Sequence, residues 1–121
     1  MLSKLLSIAS ISLTILFFPS VVSAQPSFTV AQSNELELNN LLLVGNKYVE
    51  SQNYDKALET YEQAAEMDGD NFQIFSGIGY VQTLRKDYLG AVKAYQKAVK
   101  LSPDDPKLYY ALGFCLGNLG K

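Results

Sequence analysis

The chain has 121 residues and not one histidine. That removes the commonest general base and the commonest metal ligand. It also excludes Ser–His and Cys–His nucleophile pairs. Cys115 is the single cysteine, so no disulfide can close within one chain and the fold is not a disulfide framework. Tryptophan is absent. No dense basic tract occurs, which excludes the electrostatic footprint of a nucleic-acid binder. No glycine-rich phosphate loop is present; of the eight glycines, Gly45, Gly79 and Gly113 recur at a wide, regular interval. Asp104-Asp105 is the only adjacent acidic pair, and its expected job is helix capping, not metal binding. Glu59, Glu62 and Glu66 have helical spacing and read as a solvated face. No catalytic residue, metal site or cofactor is expected, and neither is an enzyme.

The first stretch has the order of a secretory leader. Met1 to Lys4 carries one positive charge, Leu5 to Phe18 is uncharged and largely apolar, Pro19 breaks the run, and Val22-Ser23-Ala24 follows. The expectation is a signal peptide, residues 1–24, cut after Ala24, which makes the protein exported, periplasmic or secreted, with a bacterial periplasm as first choice and secretion from a eukaryotic cell as the alternative. The rival is an uncleaved anchor. Leu5 to Ala24 is 20 uncharged residues, close to the roughly 20 a spanning helix needs, although Pro19 and the serines argue against it. Membrane contact is expected only in that case.

Charge is unevenly placed. From Gln25 to Asp70 there are nine acidic and two basic residues; from Asn71 to Lys121 there are three acidic and seven basic. Solvated helix faces account for this. A dipolar module whose ends attract unlike surfaces is the sharper reading.

What organises the chain is a period of 34. Gly45, Gly79 and Gly113 keep that spacing. So do the pairs Tyr54 and Tyr88, Ala57 and Ala91, Tyr61 and Tyr95, and Ala64 and Ala98. Leu41, Phe75 and Tyr109 continue it, as do Val44, Ile78 and Leu112. Each period predicts two helices. Leu41, Val44, Gly45 and Tyr48 make one helical face, and Tyr54, Ala57, Leu58, Tyr61, Ala64 and Ala65 make a second. Asn53 and Asp87 stand where a side-chain oxygen caps a second helix, and Asp105-Pro106 opens the last one. Asp68-Gly69 and Ser102-Pro103 mark turns between periods. The small residues predict close approach of paired helices, with tyrosines filling the gaps. One pair cannot bury its apolar face alone, so stacked pairs are required.

This period and these columns resemble the tetratricopeptide repeat, a 34-residue helix–turn–helix unit. Residues 38–71 carry Leu41, Val44, Gly45, Tyr48, Ala57, Tyr61 and Ala64 in the family pattern, with Gly69 in place of the usual proline. Residues 72–105 carry Phe75, Ile78, Gly79, Ala91, Tyr95, Ala98 and Pro103, with Gln82 in place of an aromatic. Residues 106–121 carry Tyr109, Leu112 and Gly113, with Leu116 in place of an aromatic. The fold implied is all-α: an antiparallel helix-pair solenoid of two full repeats plus the first helix of a third, spanning residues 38–121. Residues 25–37 read as a flexible segment and helix lead-in, flexible to about Ser33.

In the family, first helices line a concave groove that holds a peptide or a partner helix. By position, the groove here comprises Leu42, Asn46, Val49, Ser76, Tyr80, Thr83, Tyr110 and Phe114. Aromatics with a polar handle suit binding anchors, with Asn46 and Thr83 as hydrogen-bonding groups. A sub-class grips chaperone C-terminal carboxylates with lysine, asparagine and arginine. Asn46 and Lys107 match two of those places, but Leu42, Gly77 and Ala111 occupy the other three and cannot donate to a carboxylate. The function implied is a scaffold for a protein or peptide partner. The alternatives are a module that self-associates through its partial third repeat, or a piece of a longer repeat protein. On either, Tyr109, Leu116 and Leu119 face water. Cys115 shares a column with Val81 and is expected to be a buried hydrophobe.

Overall fold

A computed structural model describes residues 29–121 as five helices: α1 Val30–Glu50, α2 Tyr54–Met67, α3 Phe72–Leu84, α4 Tyr88–Leu101 and α5 Pro106–Asn118. No strand occurs among the described residues. The expected leader, residues 1–24, and its expected cut after Ala24 lie outside them. The 25–37 segment is only partly described, and its described part is not a flexible tether. Thr29 caps α1 through a capping box: its side chain accepts from the Gln32 N–H, and the Gln32 side chain returns a bond to the Thr29 backbone. Helix therefore begins at Val30, ahead of the first repeat position.

The other helices start on short polar side chains. Asn53 accepts from Lys56 N at 3.4 Å, Asn71 from Gln73 N at 3.0 Å, Asp87 from Gly90 N at 3.0 Å and Asp105 from Lys107 N at 2.9 Å. Each satisfies one N–H that a helix start leaves without a partner.

The turn inside each repeat is built the same way twice. Gln52 and Lys86 have φ of 60° and 62° and are the only non-glycine residues with positive φ among those described. Their N–H groups donate to Val49 O at 2.9 Å and Thr83 O at 3.0 Å. The next N–H groups, of Asn53 and Asp87, donate to Tyr48 O at 2.8 Å and Gln82 O at 2.9 Å. This is the paired bond of a Schellman motif. Asn53 and Asp87 thus close one helix with their N–H and open the next with their side chain.

Burial follows the repeat. One cluster joins Ala57, Tyr61, Ala64, Ile74 and Val81; the other joins Phe75, Ala91, Val92, Tyr95, Ala98, Leu108 and Cys115. Ala65 and Ile78 pack against both, so the two cores are continuous. Glycine makes the helix pairs close. A Cβ on Gly45 would lie 2.6 Å from Tyr61 Cε1, and one on Gly79 2.9 Å from Tyr95 Cε2. A Cβ on Gly113 would meet nothing within 4 Å.

Two departures from the repeat compensate each other. In the first repeat Lys56 Nζ lies 5.6 Å from the centre of the Tyr48 ring. The same columns in the second repeat hold Gln82 and Gly90, and a Cβ on Gly90 would sit 2.7 Å from Gln82 Nε2. Glycine at 90 makes room for the glutamine and for the Asp87 carboxylate, whose Oδ2 a Cβ would meet at 2.5 Å.

Candidate functional site

Tyr61 is the floor of the site. Its ring is pressed between Gly45 of α1 and Gly77 of α3, where a Cβ would stand 3.0 Å from its Cζ. Only 3% of the residue is exposed. Burial raises the phenol pKa above its ordinary 10.0, so the hydroxyl keeps its proton at neutral pH. That hydroxyl donates to Asn46 Oδ1 at 2.6 Å. With its carbonyl side taken, Asn46 offers its amide N–H groups to any occupant.

Above this floor lies an open cavity of about 800 Å³ between α1 and α3. Leu42, Asn46, Val49 and Glu50 line it from α1, and Gln73, Ser76, Tyr80 and Leu84 from α3. Gln52, Tyr54 and Phe72 complete the lining. The lining is apolar and aromatic with amide and hydroxyl groups among it. Glu50 is its one charged residue.

Of the eight residues expected in the groove, Leu42, Asn46, Val49, Ser76 and Tyr80 surround this cavity. Thr83 does not. Its hydroxyl donates to Gly79 O at 2.8 Å and lies 3.2 Å from Cys115 Sγ. The single hydroxyl proton goes to the carbonyl, which leaves the thiol as donor to Thr83 Oγ1. Thr83 therefore ties α3 to α5 and is not the groove donor that its position implied. Tyr110 and Phe114 stand apart on α5, 79% and 49% exposed. Phe114 meets Tyr88 edge-on, with ring centres 6.3 Å apart. Position in the repeat does not single out Tyr61, Glu50, Gln52, Tyr54, Phe72, Gln73 and Leu84 as lining; they come from helix ends and from the floor.

Gly77 has a physical reason to be glycine. Any side chain there would press on the Tyr61 ring. The same contact removes one of the places from which a carboxylate grip would be built. No cluster of three or more histidine, cysteine, aspartate or glutamate residues suited to a metal occurs among the described residues. No described helix is long and apolar enough to cross a membrane.

These features define a helical-repeat protein with a groove on its first helices. A model of the TPR repeat matches residues 45–84 and 83–120. The chain belongs to the tetratricopeptide-repeat family. It is 36% identical over 64 residues to the protein O-mannosyl-transferase TMTC1 of Mus musculus and 33% identical over 64 residues to that of Homo sapiens. Each match takes in 53% of this chain and 7% of the relative, so the chain spans a small fraction of their length. Among solved structures, the second TPR of Spaghetti (RPAP3) bound to the HSP90 peptide SRMEEVD superposes with a TM-score of 0.69. The two are 23% identical, over 74% of this chain and 83% of that one, and share the fold.

Proposed function

We propose that this protein is an interaction scaffold that holds an extended peptide, or a segment of a partner helix, between α1 and α3. The observation that carries this is the Tyr61–Asn46 bond beneath the cavity. It fixes an amide whose donors suit a main-chain carbonyl, beside apolar walls that suit side-chain anchors. The HSP90 peptide seen on the solved TPR neighbour supports a peptide as the kind of occupant. Its acidic sequence does not carry over, because the cavity has no cation to receive it.

A crosslinking pull-down from the native compartment, followed by binding measurements with the captured segment, tests this. Tyr80→Ala should weaken binding and leave helicity intact. Phe114→Ala reports separately whether the occupant reaches α5. Full-strength binding in the Tyr80→Ala, Phe114→Ala double variant would remove the groove from consideration.

The setting we propose is outside the cytoplasm, which the leader-like residues 1–24 support. Intact mass of the exported protein should show Gln25 at the N-terminus; retention of Met1 to Ala24 would make the stretch an anchor.

A second reading is favoured by α5. Tyr109, Leu116 and Leu119 are 49%, 50% and 43% exposed, and Gly113 faces open space. Large exposed apolar groups of this kind mark contact surfaces. On this reading the module associates with another protein or another copy through that helix.

A further inference from the structure

We propose that the outward faces of α2 and α4 pair two copies of this chain about a twofold axis. The two helices occupy the same place in successive repeats and turn their alanine and tyrosine faces inward. Their outward faces have opposite charge. α2 carries four acidic residues and one basic, net −3; α4 carries three basic and none acidic, net +3. The charges share repeat columns. Glu59 corresponds to Lys93 and Glu66 to Lys100, and all four are exposed.

Little inside the chain uses these charges. The ion pair found among the described residues joins Arg85 to Asp55 at 3.2 Å and leaves Glu59, Glu62 and Glu66 aside. On α4, Lys97 Nζ sits 4.0 Å from the centre of the Phe75 ring, and Lys93 and Lys100 point to solvent.

Because both helices are 14 residues long and start at the same repeat column, column partners occupy the same turn of their own helices. A twofold rotation about a line running between α2 and α4, and along them, lays α2 of one copy over α4 of the other. Glu59 then faces Lys93 and Glu66 faces Lys100, and each pairing occurs twice. Sliding α2 onto α2 would oppose acid to acid, so the charges select this arrangement against the alternative. The surface is polar and solvated, so association is weak, electrostatically steered and salt-sensitive. The cavity between α1 and α3 stays open in the pair.

The test is sedimentation of the full chain and of two charge-reversed variants. At 0.1 M salt the protein should show a reversible dimer. At 1 M salt, where the screening length falls from roughly 10 Å to roughly 3 Å, dissociation should rise about tenfold or more. Lys93→Glu with Lys100→Glu makes both faces acidic; Glu59→Lys with Glu66→Lys reverses the other face. Each variant alone should be monomeric with unchanged helicity, since all four positions are exposed. Mixed in equal amounts, they should form a one-to-one dimer. A protein that is monomeric at both salt concentrations overturns the proposal. So does a variant that dimerises alone like the parent, as association through α5 or through residues 1–24 would produce. A mixture that stays monomeric overturns it equally.

Discussion

The Tyr61 hydroxyl and the Asn46 side chain, 15 residues apart in sequence, meet at 2.6 Å and join α2 to α1 under the cavity. Tyr61→Phe keeps the ring against Gly45 and Gly77 but removes the donor. We expect a loss of about 0.5–1.5 kcal/mol in chemical denaturation, the usual worth of one such bond. Affinity for a groove occupant should fall as well, because the Asn46 amide is no longer fixed. Equal affinity in parent and variant would show that Asn46 orientation does not matter to the occupant.

Three glycines in one repeat column should respond with different signs. Alanine is worth roughly 0.5–1 kcal/mol over glycine inside a helix. At Gly113 nothing opposes that gain, so Gly113→Ala should raise stability by about this amount. At Gly45 and Gly79 the new methyl would press on the Tyr61 and Tyr95 rings at 2.6 and 2.9 Å. Overpacking of this kind costs typically about 1–3 kcal/mol, which outweighs propensity, so both substitutions should destabilise. Denaturation midpoints of the three variants decide the matter.

Stability should fall in alkali. Burial raises the pKa of both Tyr61 and Tyr95 above 10.0. Below pH 10 folded and unfolded chains keep these protons alike. Above it the unfolded chain releases them first and binds fewer protons than the native state, so unfolding becomes easier as pH rises through the raised native values. Urea midpoints measured between pH 8 and 11 should be level at first and then decline. Tyr95→Phe should blunt the decline.

Cys115 is fully buried and hydrogen-bonded to Thr83. A bulky thiol reagent should label native protein far more slowly than denatured protein, at a rate set by local opening of α5. Thr83→Val deletes the tie between α3 and α5 and should speed labelling. Fast labelling of the parent would mean that α5 is not packed against α3 and α4 in solution.

The repeat plan is legible from the sequence because Gly45, Tyr61 and their counterparts 34 residues on are spaced by packing itself. The caps Asn53, Asp87 and Asp105 follow from residue type and position. The start of α1 departs from the expected flexible stretch to about Ser33, although Thr29 and Gln32, three residues apart, form a capping-box signature before the first repeat column. The cavity is less legible. Repeat position places Thr83 on the groove face, but a hydroxyl can bond back to the carbonyl four residues earlier, and here it does. Nor does a column of first helices show how far one cavity extends. Tyr110 and Phe114 share the columns of Ser76 and Tyr80, yet Phe114 packs on Tyr88, the residue that begins α4. Such contacts depend on how successive pairs rotate, which local pattern does not encode.

Tyr61 belongs at once to the core and to the lining of the cavity, and this divides the candidate site into parts with different freedom to evolve. A change of floor residue must be matched at Gly45, Gly77 and Asn46 together, since all three touch its ring or hydroxyl. Leu42, Ser76 and Tyr80 carry no such obligation; they stand on the walls, only partly buried or exposed. New partner preferences can therefore arise by single substitutions along the walls while the floor is inherited as a block. Descendants of this sequence that bind different segments should vary at those wall positions and keep the four-residue floor.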